Sequence, residues 1–200
     1  MFPFKIAQIS TLDNMGGAAK VAWNLHNAYQ QHDCESWMLV GRKTTNDPNV
    51  IQIPNDTFHN TWTRLWAHIG CLCSPFVGKI RGAGRLKSVF TNMIGQPKRW
   101  LEYKLGIEDF NFPGSFHALE FLPQRPDILQ CHNLHGDYFD LRVLPHLSRQ
   151  VPVVLTLHDA WMLSGHCAHS FDCERWKSGC GQCPDLNIYP LIRRDSTAYN

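Results

Sequence analysis

The densest chemistry in this chain lies between Thr156 and Leu186. Half of the eight cysteines (Cys167, Cys173, Cys180 and Cys183) fall there, just after a His158-Asp159 pair. Cys180-Gly-Gln-Cys183 has the two-residue spacing that lets two thiolates grip one tetrahedral ion. Cys167 and Cys173 would supply the other pair, with His166 or His169 as substitutes. A zinc ion held this way takes about four protein ligands, with sulfur near 2.3 Å, so the site would be closed and structural. Two disulfides or four free thiols are the other arrangements the spacing permits. No hydrophobic signal run opens the chain, so an oxidising compartment has no support.

Three further segments carry polar groups where a ligand could sit. Asp13-Asn14-Met15-Gly16-Gly17-Ala18-Ala19-Lys20 joins an apolar run to a helical pattern. Gly16 and Gly17 let a ligand approach the backbone, and a helix N-terminus offers free N–H groups to a phosphate or diphosphate. The loop matches neither the P-loop nor the three-glycine dinucleotide fingerprint, and a plain tight turn would look the same. His132 and His135 follow another apolar run, and either could bond a phosphate or hydroxyl or carry a proton near neutral pH. His158 and Asp159 follow a third; Asp159 could orient a sugar hydroxyl or simply cap a short helix through Trp161 and Met162.

The elements that must position these groups follow from the hydrophobic pattern. Phe4–Ser10, Ser36–Val40, Val50–Ile53, Asp127–Cys131 and Pro152–Leu157 read as strands. Val21, Ala22, Leu25, Ala28 and Tyr29 repeat at helical spacing, and Tyr138–Leu147 reads as a second helix. Strands alternating with helices imply an α/β fold, with a Rossmann-like parallel sheet flanked by helices. Ligands of such sheets bind at the carboxyl ends of the strands.

Residues 57–122 break this rhythm and are too long for a loop, so a helical insertion is expected. Trp62, Leu65, Trp66, Ile69 and Cys73 form an apolar stripe. Lys79–Lys104 then sets seven cations against Glu102 alone. An aromatic stripe followed by basic residues suits an anionic membrane surface; a soluble helical insertion with a solvated basic face gives the same pattern.

The composition is that of a globular chain with a real core. The formal charge of +2 does not imply a nucleic-acid partner, and the Cys-rich segment balances Arg175 and Lys177 against Asp172 and Glu174. No apolar run is long enough to span a bilayer. Cys34, Cys71, Cys73 and Cys131 are expected as buried thiols of a reducing cytoplasm.

Gly16-Gly17-Ala18-Ala19, His132-Asn133-Leu134-His135 and Thr156-Leu157-His158-Asp159-Ala160-Trp161 together resemble the N-terminal half of family 4 glycosyltransferases. So does the run from Gly165-His166-Cys167 through Gly179-Cys180-Gly181-Gln182-Cys183-Pro184. The likeness is to bacterial exopolysaccharide and colanic-acid-type transferases. It covers most of residues 1–200 and is weakest over 57–122; the Cys cluster at 165–184 is its specific part.

The resemblance implies the N-terminal half of a GT-B fold, with a helical insertion and a Cys-rich loop. It implies a metal-independent, retaining transfer from a nucleotide-sugar to a glycan or lipid-linked sugar acceptor, in surface polysaccharide synthesis. Gly16 and Gly17 would meet the donor diphosphate. His132 and Asp159 would be catalytic, His135 and His158 would bind the acceptor, and any zinc would be scaffolding. The setting would be cytoplasmic, or peripheral at the inner face of the cell membrane. The family's C-terminal donor-binding domain is absent from these 200 residues. The chain alone is therefore expected to be inactive, with an unpaired sheet edge that favours aggregation. The alternative is a non-enzymatic, zinc-stabilised module that binds a glycan or a partner chain.

Overall fold

The computed structural model describes residues 3–198. The chain divides into two compact units. One runs to Asn55 and resumes over Phe110–Met162; the other comprises Asp56–Asp109 and the residues from Leu163 onward.

The first unit is built on a five-stranded sheet in the order β3-β2-β1-β4-β5. The strands are β1 (Lys5–Leu12), β2 (Glu35–Arg42), β3 (Val50–Gln52), β4 (Ile128–Cys131) and β5 (Val153–Leu155). Every neighbouring pair is parallel; Ile9 lies opposite Leu39 on one side and Cys131 on the other. The expected Rossmann-like α/β architecture is what the chain adopts. Helix α1 (Gly17–Gln31) makes the first crossover. Ile9, Leu39 and Leu129 are wholly buried and join Val143, Leu147 and Phe139 in one core. Each such aliphatic side chain contributes about 2 kcal/mol by leaving water. On α1, His26 is also fully buried, with Nδ1 2.8 Å from Ser36 Oγ and Nε2 3.7 Å from Asp47. This Ser-His-Asp set has no access for a substrate, because Ser36 is 3% exposed; it satisfies buried polar groups and is not a nucleophile.

The helix expected over Tyr138–Leu147 begins later. Asp137 has φ +59°, which the right-handed helix does not allow. Asp140 then caps the turn by accepting from the Arg142 N–H. A 3-10 turn over Leu141–Val143 follows, and a short α-helix over Leu144–Ser148. Tyr138 instead lies against Gly41, where a β-carbon on the glycine would come within 2.5 Å of it.

The second unit is helical across α2 (Asn55–Phe58), α3 (Thr61–Leu72), α4 (Ala83–Ser88) and α5 (Pro97–Leu105), with a π-helical turn at Val89–Ile94. Asn60 caps α3 by accepting from the Thr63 N–H at 2.8 Å. Gly70 lets α3 close on the π-helical turn, since a β-carbon there would meet Thr91 at 2.4 Å. No helix among the described residues is long and apolar enough to cross a membrane.

Candidate functional site at the strand ends

Strands β1, β4 and β5 are adjacent and parallel, so their carboxyl ends share one edge. The order turns between β1 and β4, the place where open α/β sheets form a crevice. The three segments singled out from the sequence in this unit leave the sheet here.

Behind the Gly-Gly loop, Asp13 is fully buried. Its carboxylate accepts from the Thr44 and Thr45 N–H groups at 2.9 and 2.7 Å, and from their hydroxyls at 2.5 and 2.7 Å. Burial opposes its ionisation, but these four donors outweigh burial and hold the acid well below the usual carboxylate range. The anchor fixes the chain that leads into Gly16. Gly16 has φ +94°, a conformation that favours glycine. Helix α1 starts at Gly17 without a side-chain cap and with no acid in its first turn. Its first N–H groups therefore retain their capacity for an anion. The space where β-carbons of Gly16 and Gly17 would sit is open.

At the end of β4, His132 is 1% exposed. Burial, and then the nearby His158, push its pKa down to about 4. The ring is thus neutral at pH 7. Its Nε2–H donates to Gln8 Oε1 at 2.9 Å, which leaves Nδ1 as an acceptor. His158 Nε2 lies 2.8 Å from that Nδ1 and donates to it. His158 is half-buried, so it is the member of the pair that solvent or a ligand can reach.

Asp159 gathers the remaining groups. Its Oδ2 accepts from Asn133 Nδ2 at 2.7 Å and from His135 Nε2 at 2.8 Å; its Oδ1 accepts from the Trp161 N–H at 3.0 Å. It therefore caps the short turn at Trp161–Leu163 and holds His135, whose ring lies 5.1 Å from Trp161. Thr11 Oγ1 donates to the carbonyls of Asn133 and His135 at 3.2 and 3.1 Å, which ties the end of β1 to the same loop. The sheet thus brings His132 and His158 together as one pair, and His135 and Asp159 as another.

Three contributors were not anticipated from the sequence: Gln8, Asn133 and Asp13 as an anchor. Gln8 lies opposite Gln130 in the β1–β4 register, and Gln130 accepts from Tyr29 and donates to Thr156. A glutamine within an otherwise apolar strand was the available signal, because a buried amide needs a partner.

The Cys-rich segment belongs to the second unit, and there the expected zinc finds no support. Cys167, Cys173, Cys180 and Cys183 are free thiols. Among the described residues, no three His, Cys, Asp or Glu side chains gather to hold a metal ion. The two thiols of Cys180-Gly-Gln-Cys183 serve different partners. Cys180 Sγ accepts from the Gly165 N–H at 3.2 Å, whereas Cys183 Sγ lies 3.3 Å from His166 Nε2 and 3.4 Å from the Asp185 carbonyl. Close spacing delivers a ligand pair only when both sulfurs face one centre.

Over 77 residues the chain is 38% identical to the putative colanic acid biosynthesis glycosyl transferase WcaC of Escherichia coli (strain K12). The match takes in 35% of this chain and spans 19% of that protein's length. No family model matches the chain. No solved structure matches it.

Proposed function

We propose that this chain is the acceptor-side half of a retaining glycosyltransferase. It would move a sugar from a nucleotide-sugar to a glycan or lipid-linked acceptor during surface polysaccharide synthesis. The observation that carries the reading is the convergence of the uncapped α1 N-terminus, the His132–His158 pair and the His135–Asp159 pair at one strand-end edge. The partial likeness to a polysaccharide-building transferase supports it.

In this reading the N–H groups of Gly17, Ala18 and Ala19 stabilise the leaving diphosphate. His158 is the contact to the sugar and His132 is its positioning partner, because the buried ring cannot itself reach a substrate. His135 and Asp159 shape the acceptor side. Both carboxylate oxygens of Asp159 are engaged, so its role is to hold His135 and the Trp161 turn. The work of the site is then placement and charge stabilisation.

The same engagement favours a second reading, a module that binds a glycan or a partner chain without catalysis, since both oxygens of Asp159 are committed to its own loop. The test is amide NMR of the chain titrated with a nucleoside diphosphate and then with nucleotide-sugars. The first reading requires saturable shifts at Gly17–Ala19 and His158, weakened by His158→Ala. Shifts with neutral oligosaccharides alone would support the module. No shift at these positions with any diphosphate sinks the transferase reading.

A further inference from the structure

The segment from Thr57 to Leu101 contains no Asp or Glu, yet it carries Arg64, Lys79, Arg81, Arg85, Lys87, Lys98 and Arg99. Two of these are paired locally: Lys98 lies 3.7 Å from Glu102, and Arg99 is bonded to Asp109. Among the described residues, no carboxylate pairs with Arg64, Lys79, Arg81, Arg85 or Lys87.

The apolar side chains beside these cations are turned outward. Leu72 is 64% exposed, Ile80 56% and Phe76 50%, with Val77 and Leu86 close behind. The helices do have an interior, formed around Thr63, Gly70, Trp66 and Phe90. These five residues lie outside it. Between the end of α3 and α4, Val77, Ile80, Arg81 and Arg85 line a concavity of about 450 Å³. Aliphatic tips and long cationic side chains therefore share one short stretch.

We propose that the segment Leu72–Lys87 docks on an anionic lipid surface. Phe76, Val77 and Ile80 enter the boundary between headgroups and acyl chains, and Lys79, Arg81 and Arg85 take lipid phosphates, with the concavity seating a headgroup. Two features select lipid over other anionic partners. The exposed apolar groups are mostly aliphatic, which suits hydrocarbon, whereas single-stranded nucleic acid is gripped by stacked aromatic rings. A cationic face with no acid is also the pattern that a negatively charged leaflet attracts. The proposal does not rest on the reading of the strand-end site, because none of these residues belongs to it.

The test is sedimentation of the chain with vesicles of phosphatidylglycerol and phosphatidylcholine, against vesicles of phosphatidylcholine alone. The chain should partition onto the anionic vesicles only, and high salt should release it. Each cation removed should weaken partitioning about fivefold. The variant Lys79→Gln, Arg81→Gln, Arg85→Gln, Lys87→Gln should thus lose more than about a hundredfold. Ile80→Asp should weaken binding at unchanged melting temperature, since the site is exposed. Equal binding to both vesicle types, or an unaffected quadruple variant, overturns the proposal. So does displacement of the vesicles by an oligonucleotide, or a salt-insensitive dimer that Ile80→Asp dissociates.

Discussion

His158 Nε2 stands 2.8 Å from His132 Nδ1, with the two rings stacked at 5.1 Å and 22° apart in plane. The Gln8 contact fixes the tautomer of His132 and so the direction of this hydrogen bond. His158 is thereby held with Nδ1 as its remaining ring nitrogen. His158→Ala should weaken nucleotide-sugar binding about tenfold, the loss of one hydrogen bond to a charged or polar partner. His132→Gln should weaken it less, and Gln8→Leu should act through the same pair. Isothermal titration of the three variants checks the order.

Acid should destabilise the fold through His132. Its folded pKa, near 4, lies below the unfolded value near 6.5. The unfolded chain therefore binds the proton first, and stability falls as pH drops from about 6.5 to about 4, by roughly 3 kcal/mol in all. His26, shifted down by burial despite Asp47, adds a loss of the same sign. Urea unfolding at pH 7 and pH 5 should show a smaller pH difference in His132→Gln than in the parent chain.

Asp13→Asn should cost about 2 to 4 kcal/mol, since four donors lose a charged acceptor. Its folded pKa lies below the ordinary one. The contribution is present above the unfolded value and is lost as pH falls through the folded one. A thermal scan at pH 7 should show a drop of several degrees, and nucleoside diphosphate binding should weaken as the Gly16 turn loosens.

Gly16 and Gly17 should separate in their response to alanine. Gly16→Ala places a β-carbon at φ +94° and should cost about 1 kcal/mol of stability. Gly17 has ordinary φ and open space around it. Gly17→Ala should melt like the parent yet bind diphosphate more weakly, because its methyl group occupies the approach to the helix N-terminus. Equal diphosphate affinity would show that the anion does not approach there.

Cys131 should be silent to thiol reagents until the chain unfolds. It is 1% exposed, and burial pushes its thiol up to about 12. Exposed Cys71 should react first in the native protein. Alkylation followed by peptide mapping checks the order.

Much of the first unit was legible because its signals are local. Apolar strands and the glycine pair at Gly16-Gly17 announce themselves within a few residues. So does the proximity of His132, His135, His158 and Asp159 to strand ends. What was not legible depends on register and on contact. Only the pairing of β1 with β4 places Gln8 beside His132, and nothing in spacing says which histidine is buried. The helix expected at Tyr138 failed for a similar reason: the reading followed apolar periodicity, while the left-handed Asp137 and the fit of Tyr138 beneath Gly41 decide the turn. The Cys cluster gained no support as a metal site, because spacing records how far apart thiols are along the chain, and not where their sulfurs point.

The contact between Gly41 and Tyr138 has a genetic consequence. Tyr138 Oη donates to the Asn133 carbonyl at 2.9 Å, and Asn133 in turn bonds Asp159 and the His158 backbone. A lesion such as Gly41→Ala, on a strand that carries none of the reactive groups, would displace Tyr138 and reach both pairs through Asn133. Screens for loss of function should therefore recover alleles at Gly41. Second-site revertants should map to a smaller side chain at position 138 and not to the histidines themselves.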